Sequence, residues 1–280
     1  EDMPDGRVKH IVQNITDPDI VPYIPDGIGN STDRQRIPAV LIIPGGAFRR
    51  LVYNFEGEDV AKWLNSMGIA AFVLECRLPS DEHDNAEDVP LIDAMRAMRV
   101  IRGRAQEFGI DEAKIGVMGF SAGGFMAALL STAYESDVYA DYKYKDEYDK
   151  LSARPDFAVC SYPVISIDDC IEAGKRYMSE EQVLERISDS KAKILHKYNP
   201  DKLVRPDMPP VFICETDDDR TTLSENSVGF YMAARKAGVS AELHIFRTGG
   251  HGYGCGDDFA QTGEWKVLFT KWIKSIGIIS

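Results

Sequence analysis

Val117-Met118-Gly119-Phe120-Ser121-Ala122-Gly123-Gly124 holds a Gly-x-Ser-x-Gly pentapeptide that follows a short apolar run, Ile115 to Met118, and opens onto small-residue helical sequence. Read as strand, tight turn and helix, this stretch is a nucleophile elbow. Glycines on either side let the chain reverse sharply and lift the serine hydroxyl above a sheet. The same turn aims the first N–H groups of the new helix at the place where an oxyanion forms. The pentapeptide alone recurs by chance in turns, so its surroundings carry the argument.

Around the elbow, apolar runs of strand length alternate with amphipathic runs of helix length. Strands are expected at Ala39 to Ile43, Ile69 to Leu74, Lys114 to Met118, Phe157 to Ser161, Val211 to Glu215 and Ala241 to Phe246. Helices are expected at Glu56 to Ser66, Val89 to Phe108, Ala122 to Thr132, Ser224 to Ala237 and Glu264 to Ile276. This βαβα order implies a mostly parallel sheet with helices on both faces, and places site loops at the strand C-terminal ends. Two segments break the alternation. Tyr134 to Pro155 reads as a surface excursion, and Ile167 to Pro210 is too long for one crossover helix. The latter is either a small helical insertion, at about 167–200, lying over the site, or an elaborated crossover away from it.

The 280 residues, 44% of them hydrophobic, suit one large α/β domain spanning 1–280. No run of eighteen apolar residues offers a membrane span. The chain begins at Glu1 without a charged-then-apolar leader, which leaves its compartment open between cytoplasm and secretion. Five scattered cysteines form no metal-type spacing and read as unpaired structural thiols, with Cys160 and Cys214 as buried small hydrophobes in apolar runs. A net charge of −13 argues against nucleic acid and favours an uncharged partner. Neither a cofactor nor a metal is expected, and oligomerisation stays open.

A serine nucleophile needs a base, an acid that orients the base, and donors for the oxyanion. Of five histidines, only His251 sits in a glycine-rich loop, Thr248-Gly249-Gly250-His251-Gly252-Tyr253-Gly254, just past a strand end. It is the expected base. Val211 to Glu215 runs into Thr216-Asp217-Asp218-Asp219, which supplies an acid, although chemistry alone does not choose among three adjacent aspartates. Serine, acid and histidine fall in the chain order of α/β-hydrolases. Donors are expected from the N–H of Ala122 and, at the end of an early strand, from Gly46 or Ala47 in Pro44-Gly45-Gly46-Ala47-Phe48.

Over residues 37 to 275 the chain resembles bacterial esterases of the α/β-hydrolase fold known as acetyl xylan esterases or xylanase-associated esterases, and more distantly the hormone-sensitive lipase group. The resemblance is carried by Pro44-Gly45-Gly46-Ala47-Phe48, Glu56-Gly57, Ala61-Lys62-Trp63-Leu64, Arg77-Leu78-Pro79, the elbow, Pro209-Pro210-Val211-Phe212, Glu225-Asn226-Ser227 and the histidine loop. It implies Asp219 as the acid, with Asp218 second, and deacetylation of xylan or xylo-oligosaccharides. Two departures, Cys76 before Arg77-Leu78-Pro79 and Thr222-Leu223 after the acid, bear on acyl or alcohol preference. Phe48, Tyr53 and Tyr253 lie beside the site loops, as sugar-stacking candidates or as packing residues. Alternatives are a feruloyl or general short-chain carboxylesterase, a prolyl-oligopeptidase-like peptidase, and a non-catalytic binding protein of the same fold.

Overall fold

A computed structural model describes residues 8–27, 36–81, 83–140, 142, 145–188, 193–256 and 261–280. Its centre is a seven-stranded sheet. In chain order these strands are β2 (Asp19–Tyr23), β3 (Ile37–Ile43), β5 (Ala70–Glu75), β6 (Ile110–Phe120), β7 (Ala158–Ser161), β8 (Val211–Thr216) and β9 (Ala241–Phe246). They lie side by side as β2-β5-β3-β6-β7-β8-β9, all parallel except β2, which runs antiparallel to β5. A separate antiparallel pair joins β1 (Ile11–Val12) to β4 (Leu51–Val52). The mostly parallel sheet, with helices packed against it, is the arrangement that the alternation implied, and it matches the α/β-hydrolase fold expected from the resemblance.

β3 reads as an unbroken apolar run because both of its faces are covered. Ala39, Leu41 and Ile43 pack against α2 (Val89–Gly103) and α4 (Ala122–Ala133), through Leu91, Met95, Phe125 and Leu129. Val40 and Ile42 face the other way, toward α1 (Asp59–Ser66) and α9 (Glu264–Ser275), through Val60, Leu64, Trp265 and Phe269. All the β3 residues named are fully buried.

Three differences from the sequence expectation have physical causes. β2 contains Pro22 and lies at the sheet edge, where the missing N–H costs no ladder bond. β6 starts four residues before the expected Lys114, because the polar segment Asp111–Lys114 extends beyond the core and the register with β3 shifts there. The expected helix Val89 to Phe108 divides at Arg104 into α2 and a short α3 (Ala105–Phe108), which Gly109 terminates in the left-handed conformation.

The elbow requires its glycines for space. A Cβ at Gly119 would lie 1.9 Å from the Gly123 carbonyl oxygen, and one at Gly123 would lie 1.9 Å from that of Ile43. The strand end, the new helix and the neighbouring strand approach too closely there for any side chain.

The described residues of the segment 167–200 include α5 (Ile167–Tyr177), α6 (Glu180–Ser188) and α7 (Lys193–Lys197). Its entry is fixed by Asn226 of α8 (Ser224–Lys236), whose Oδ1 accepts the N–H groups of Ile165 and Ser166 at 2.9 and 3.1 Å. Its exit is tied to Asp88 by Lys197 and Tyr198.

Candidate active site

Ser121 stands between β6 and α4 with φ 53° and ψ −117°, a strained conformation for a side-chain-bearing residue. Its N–H donates to the Ser161 carbonyl at the end of β7 at 3.0 Å, which pins the elbow to the adjacent strand. Ser121 Oγ lies 2.8 Å from His251 Nε2, and His251 Nδ1 lies 2.6 Å from Asp219 Oδ2. An ionised carboxylate only accepts, so Nδ1 carries the proton and Nε2 is left to receive one from the serine. The other histidines are engaged elsewhere or remote: His83 meets the Ile15 carbonyl, His244 meets Glu242, His10 is exposed and His196 belongs to α7.

The two adjacent aspartates divide the work. Asp219, whose side chain is wholly buried, accepts the N–H groups of Thr221 and Thr222 at 2.7 and 3.0 Å and the Thr222 hydroxyl at 3.0 Å. Burial acts to raise its pKa, but His251 and these donors outweigh that and hold it below the ordinary carboxylate value. Asp218 instead accepts the N–H groups of Gly249 and Gly250 at 2.9 and 2.8 Å, and so holds the start of the histidine loop.

Before the elbow, β3 leads into Gly46 (φ 139°), Ala47 (φ 57°) and Phe48 (φ 58°). A Cβ on Gly46 would sit 2.0 Å from the Arg50 carbonyl oxygen, so the tight return of this loop excludes one. Two backbone bonds, Arg49 N–H to Gly46 O and Val52 N–H to Gly45 O, close it. Gly46, Ala47, Ser121 and His251 line one cleft of about 1130 Å³. Ala122 opens α4, and the leading N–H groups of a helix have no partner inside it.

The proposed aromatic contacts separate. Tyr253 is buried, packs edge-on against Tyr162 and borders the cleft. Phe48 and Tyr53 do not border it. The left-handed turn at Phe48 sends its ring into the core, T-shaped on Phe125 at 5.5 Å. Tyr53 faces Tyr23, their hydroxyls 3.4 Å apart. Trp63 and Phe55 border the cleft in their place. An aromatic within a polar helix face is the signal that the sequence carries for Trp63.

Three further residues, none of them among the expected catalytic or oxyanion-binding groups, meet the site. Thr222 Oγ1 lies 3.2 Å from His251 Nδ1 and bridges it to Asp219. Glu56, buried in a π-helical turn over Asn54–Glu58, accepts the Gly45 N–H at 2.7 Å and the Tyr162 hydroxyl at 2.9 Å. Burial pushes its carboxyl above the ordinary range, against the pull of Tyr162, His251 and Gly45. Tyr162 follows β7 with φ 36° and places its ring 5.1 Å from the His251 imidazole. Among the described residues bordering the cleft, none belongs to α5, α6 or α7. Lys9, Arg49, Arg50, Lys62 and Lys266 border it beside Asp59, so the net charge of the whole chain is no guide to the charge of the cleft. Among the described residues, no three His, Cys, Asp or Glu side chains converge as metal ligands, and no helix is long and apolar enough to cross a membrane.

Comparison with known proteins adds a family. The family model described as BD-FAE matches residues 28–233. An acetylxylan esterase of Xylanibacter ruminicola is 31% identical over 240 residues, covering 85% of this chain and 45% of that protein. An endo-1,4-beta-xylanase B of Butyrivibrio fibrisolvens is 31% identical over 227 residues, covering 81% and 34%. The chain thus spans less than half the length of these curated relatives. An acetyl ester-xyloside bifunctional hydrolase from Caldicellulosiruptor lactoaceticus, 34% identical, superposes with a TM-score of 0.75 over 97% of this chain and 98% of that one. A carboxylesterase from Lactobacillus plantarum, 21% identical, shares the fold with a TM-score of 0.78 over 98% of each chain.

Proposed function

The chain belongs to the BD-FAE family, and we propose that it is a serine carboxylic-ester hydrolase that removes acetyl groups from xylan or xylo-oligosaccharides. The observation that carries this reading is the continuous hydrogen-bonded line from Ser121 through His251 to Asp219, opening into the cleft beside Gly46 and Ala47. Similarity to an acetylxylan esterase and to an acetyl ester-xyloside hydrolase supports the carbohydrate ester. The cleft exceeds the roughly 300–1,000 Å³ usual for small-ligand sites and leaves room for more than the ester itself.

In this reading His251 Nε2 takes the Ser121 proton as Oγ attacks the ester carbonyl. The oxyanion of the tetrahedral intermediate is held by the N–H of Ala122 and by that of Gly46 or Ala47. Collapse releases the sugar, whose hydroxyl receives the proton from His251, and leaves an acetyl-serine. A water molecule, deprotonated by His251, then attacks that ester, and His251 returns the proton to Ser121 Oγ as its bond to the acyl carbon breaks and acetate leaves. Asp219 keeps the imidazole in the required tautomer and stabilises the imidazolium. No step needs a cofactor.

Ser121→Ala tests the nucleophile: hydrolysis of p-nitrophenyl acetate should fall to background while the circular dichroism spectrum is unchanged. Acetylated xylo-oligosaccharides followed by mass spectrometry test the substrate. Release of ferulate from aryl esters with no deacetylation of xylo-oligosaccharides would replace the acetyl assignment with a feruloyl esterase.

A further inference from the structure

Two loops have to keep a fixed spacing for the proposed reaction: the one that presents Gly46 and Ala47, and the one that presents His251. A buried bridge of side chains connects them. The Gly45 N–H donates to Glu56 Oε2 at 2.7 Å, the Tyr162 hydroxyl donates to Glu56 Oε1 at 2.9 Å, and the Gly254 N–H donates to Tyr162 Oη at 3.0 Å. Each acceptor in this line is taken, and Glu56 and Tyr162 are 5% and 0% exposed.

The bridge is continued on both sides. The Gly254 carbonyl accepts the Trp265 indole N–H at 3.0 Å, which anchors the histidine loop to α9. The Tyr162 carbonyl accepts the Thr222 hydroxyl at 3.3 Å, the same hydroxyl that meets Asp219. The Tyr162 ring stands edge-on to the His251 imidazole, so one residue touches the acid's neighbour, the base and the bridge. Two local irregularities make this reach attainable. The π-helical turn over Asn54–Glu58 faces Glu56 inward immediately before α1, and Tyr162 adopts a positive φ that a side-chain-bearing residue takes only when its surroundings enforce it.

We infer that Glu56 and Tyr162 are positioning residues, whose hydrogen-bonded bridge sets the distance between the oxyanion-binding loop and the histidine loop. This rests on the serine esterase reading, because its consequence is transition-state stabilisation. Hydrogen bonds to an oxyanion and proton transfer from the serine both depend on sub-ångström placement, whereas capture of the neutral ester depends on the wider cleft. Loosening the bridge therefore acts on kcat and spares KM.

The test compares the wild type with Tyr162→Phe, Glu56→Gln and Glu56→Ala on p-nitrophenyl acetate, well below each variant's melting temperature. Tyr162→Phe keeps the ring against His251 and removes both hydroxyl bonds. It should lower kcat by about ten- to a hundred-fold, less than the roughly hundred- to thousand-fold cost of deleting an oxyanion donor outright, and change KM by less than about three-fold. A trifluoromethyl ketone, which mimics the tetrahedral adduct, should lose affinity in the same proportion. Glu56→Gln keeps an acceptor for the Gly45 N–H and should retain more activity than Glu56→Ala. A Tyr162→Phe enzyme that melts earlier but turns over at the wild-type rate overturns the inference, and so does a loss confined to KM. Where Tyr162→Phe does not fold, the kcat and KM of Glu56→Ala decide by the same criteria. Failure of the underlying reading looks different: the wild type itself would then not be labelled at Ser121 by a fluorophosphonate.

Discussion

Asp218 and Asp219 are consecutive, yet they grip opposite parts of one loop. Asp219 Oδ2 lies 2.6 Å from His251 Nδ1, and Asp218 Oδ1 lies 2.9 and 2.8 Å from the backbone nitrogens of Gly249 and Gly250. One carboxylate orients the imidazole while the other holds the backbone that carries it. Both come directly after β8, whose neighbour β9 leads into the histidine loop, so parallel pairing delivers acid and base to the same edge.

Asp219→Asn should reduce kcat on p-nitrophenyl acetate by on the order of 10⁴-fold, because an amide can favour the wrong imidazole tautomer. Asp218→Asn keeps an acceptor oxygen for the two glycine N–H groups and should cost far less. Equal losses in the two variants would contradict the division of roles.

Thr222→Val removes a hydroxyl donor to Asp219 while keeping shape and the backbone N–H bond. A hydrogen bond to a charged group is worth about 1.5–3 kcal/mol, so kcat should drop by roughly ten-fold or more. Losing a donor moves the Asp219 pKa upward, so the acidic limb of the pH–rate profile should move to higher pH. A profile superimposable on that of the wild type would reduce the hydroxyl to packing.

Glycines in this chain are not equivalent. Gly123→Ala places a methyl group 1.9 Å from the Ile43 carbonyl oxygen, and soluble folded protein should be lost. Gly229→Ala, at an exposed position inside α8 with nothing within 4 Å of the new Cβ, should stabilise by about 0.5–1 kcal/mol. In a chain of this size that corresponds to a rise of about 1–4 °C in melting temperature by calorimetry.

Glu215 is fully buried at the end of β8, and burial pushes its carboxyl well above the ordinary value, with the nearby Asp219 charge adding to the rise. A raised folded pKa means that the unfolded chain ionises first, so stability falls as pH rises from the unfolded pKa toward the folded one. Glu215→Gln removes this dependence while retaining an acceptor for the Thr216 N–H. Its melting temperature should gain on that of the wild type as pH rises above the ordinary glutamate pKa. A constant difference across that rise would rule out the buried neutral acid.

The local chemistry of this chain determined a great deal without a fold. The alternation of apolar runs set the order of strands and helices, the glycine spacing set the elbow, and chain order placed serine, acid and histidine as an α/β-hydrolase does. The first two are short-range, since turn geometry and periodicity are properties of neighbouring residues, and chain order is read from the sequence directly. The rest depended on residues distant in sequence. Glu56 and Tyr162 are 106 positions apart and meet only because β3 and β7 flank β6 in one sheet. Which of Asp218 and Asp219 meets His251 is a matter of side-chain direction at a loop, decided at ångström scale by packing against the histidine loop. Phe48 left the cleft because a positive φ turned its ring inward, and Trp63 of α1 borders it instead, packed edge-on against Trp265 and Phe269. Hydrogen-bond partners and side-chain directions are decided by three-dimensional packing, and tertiary structure alone supplied them.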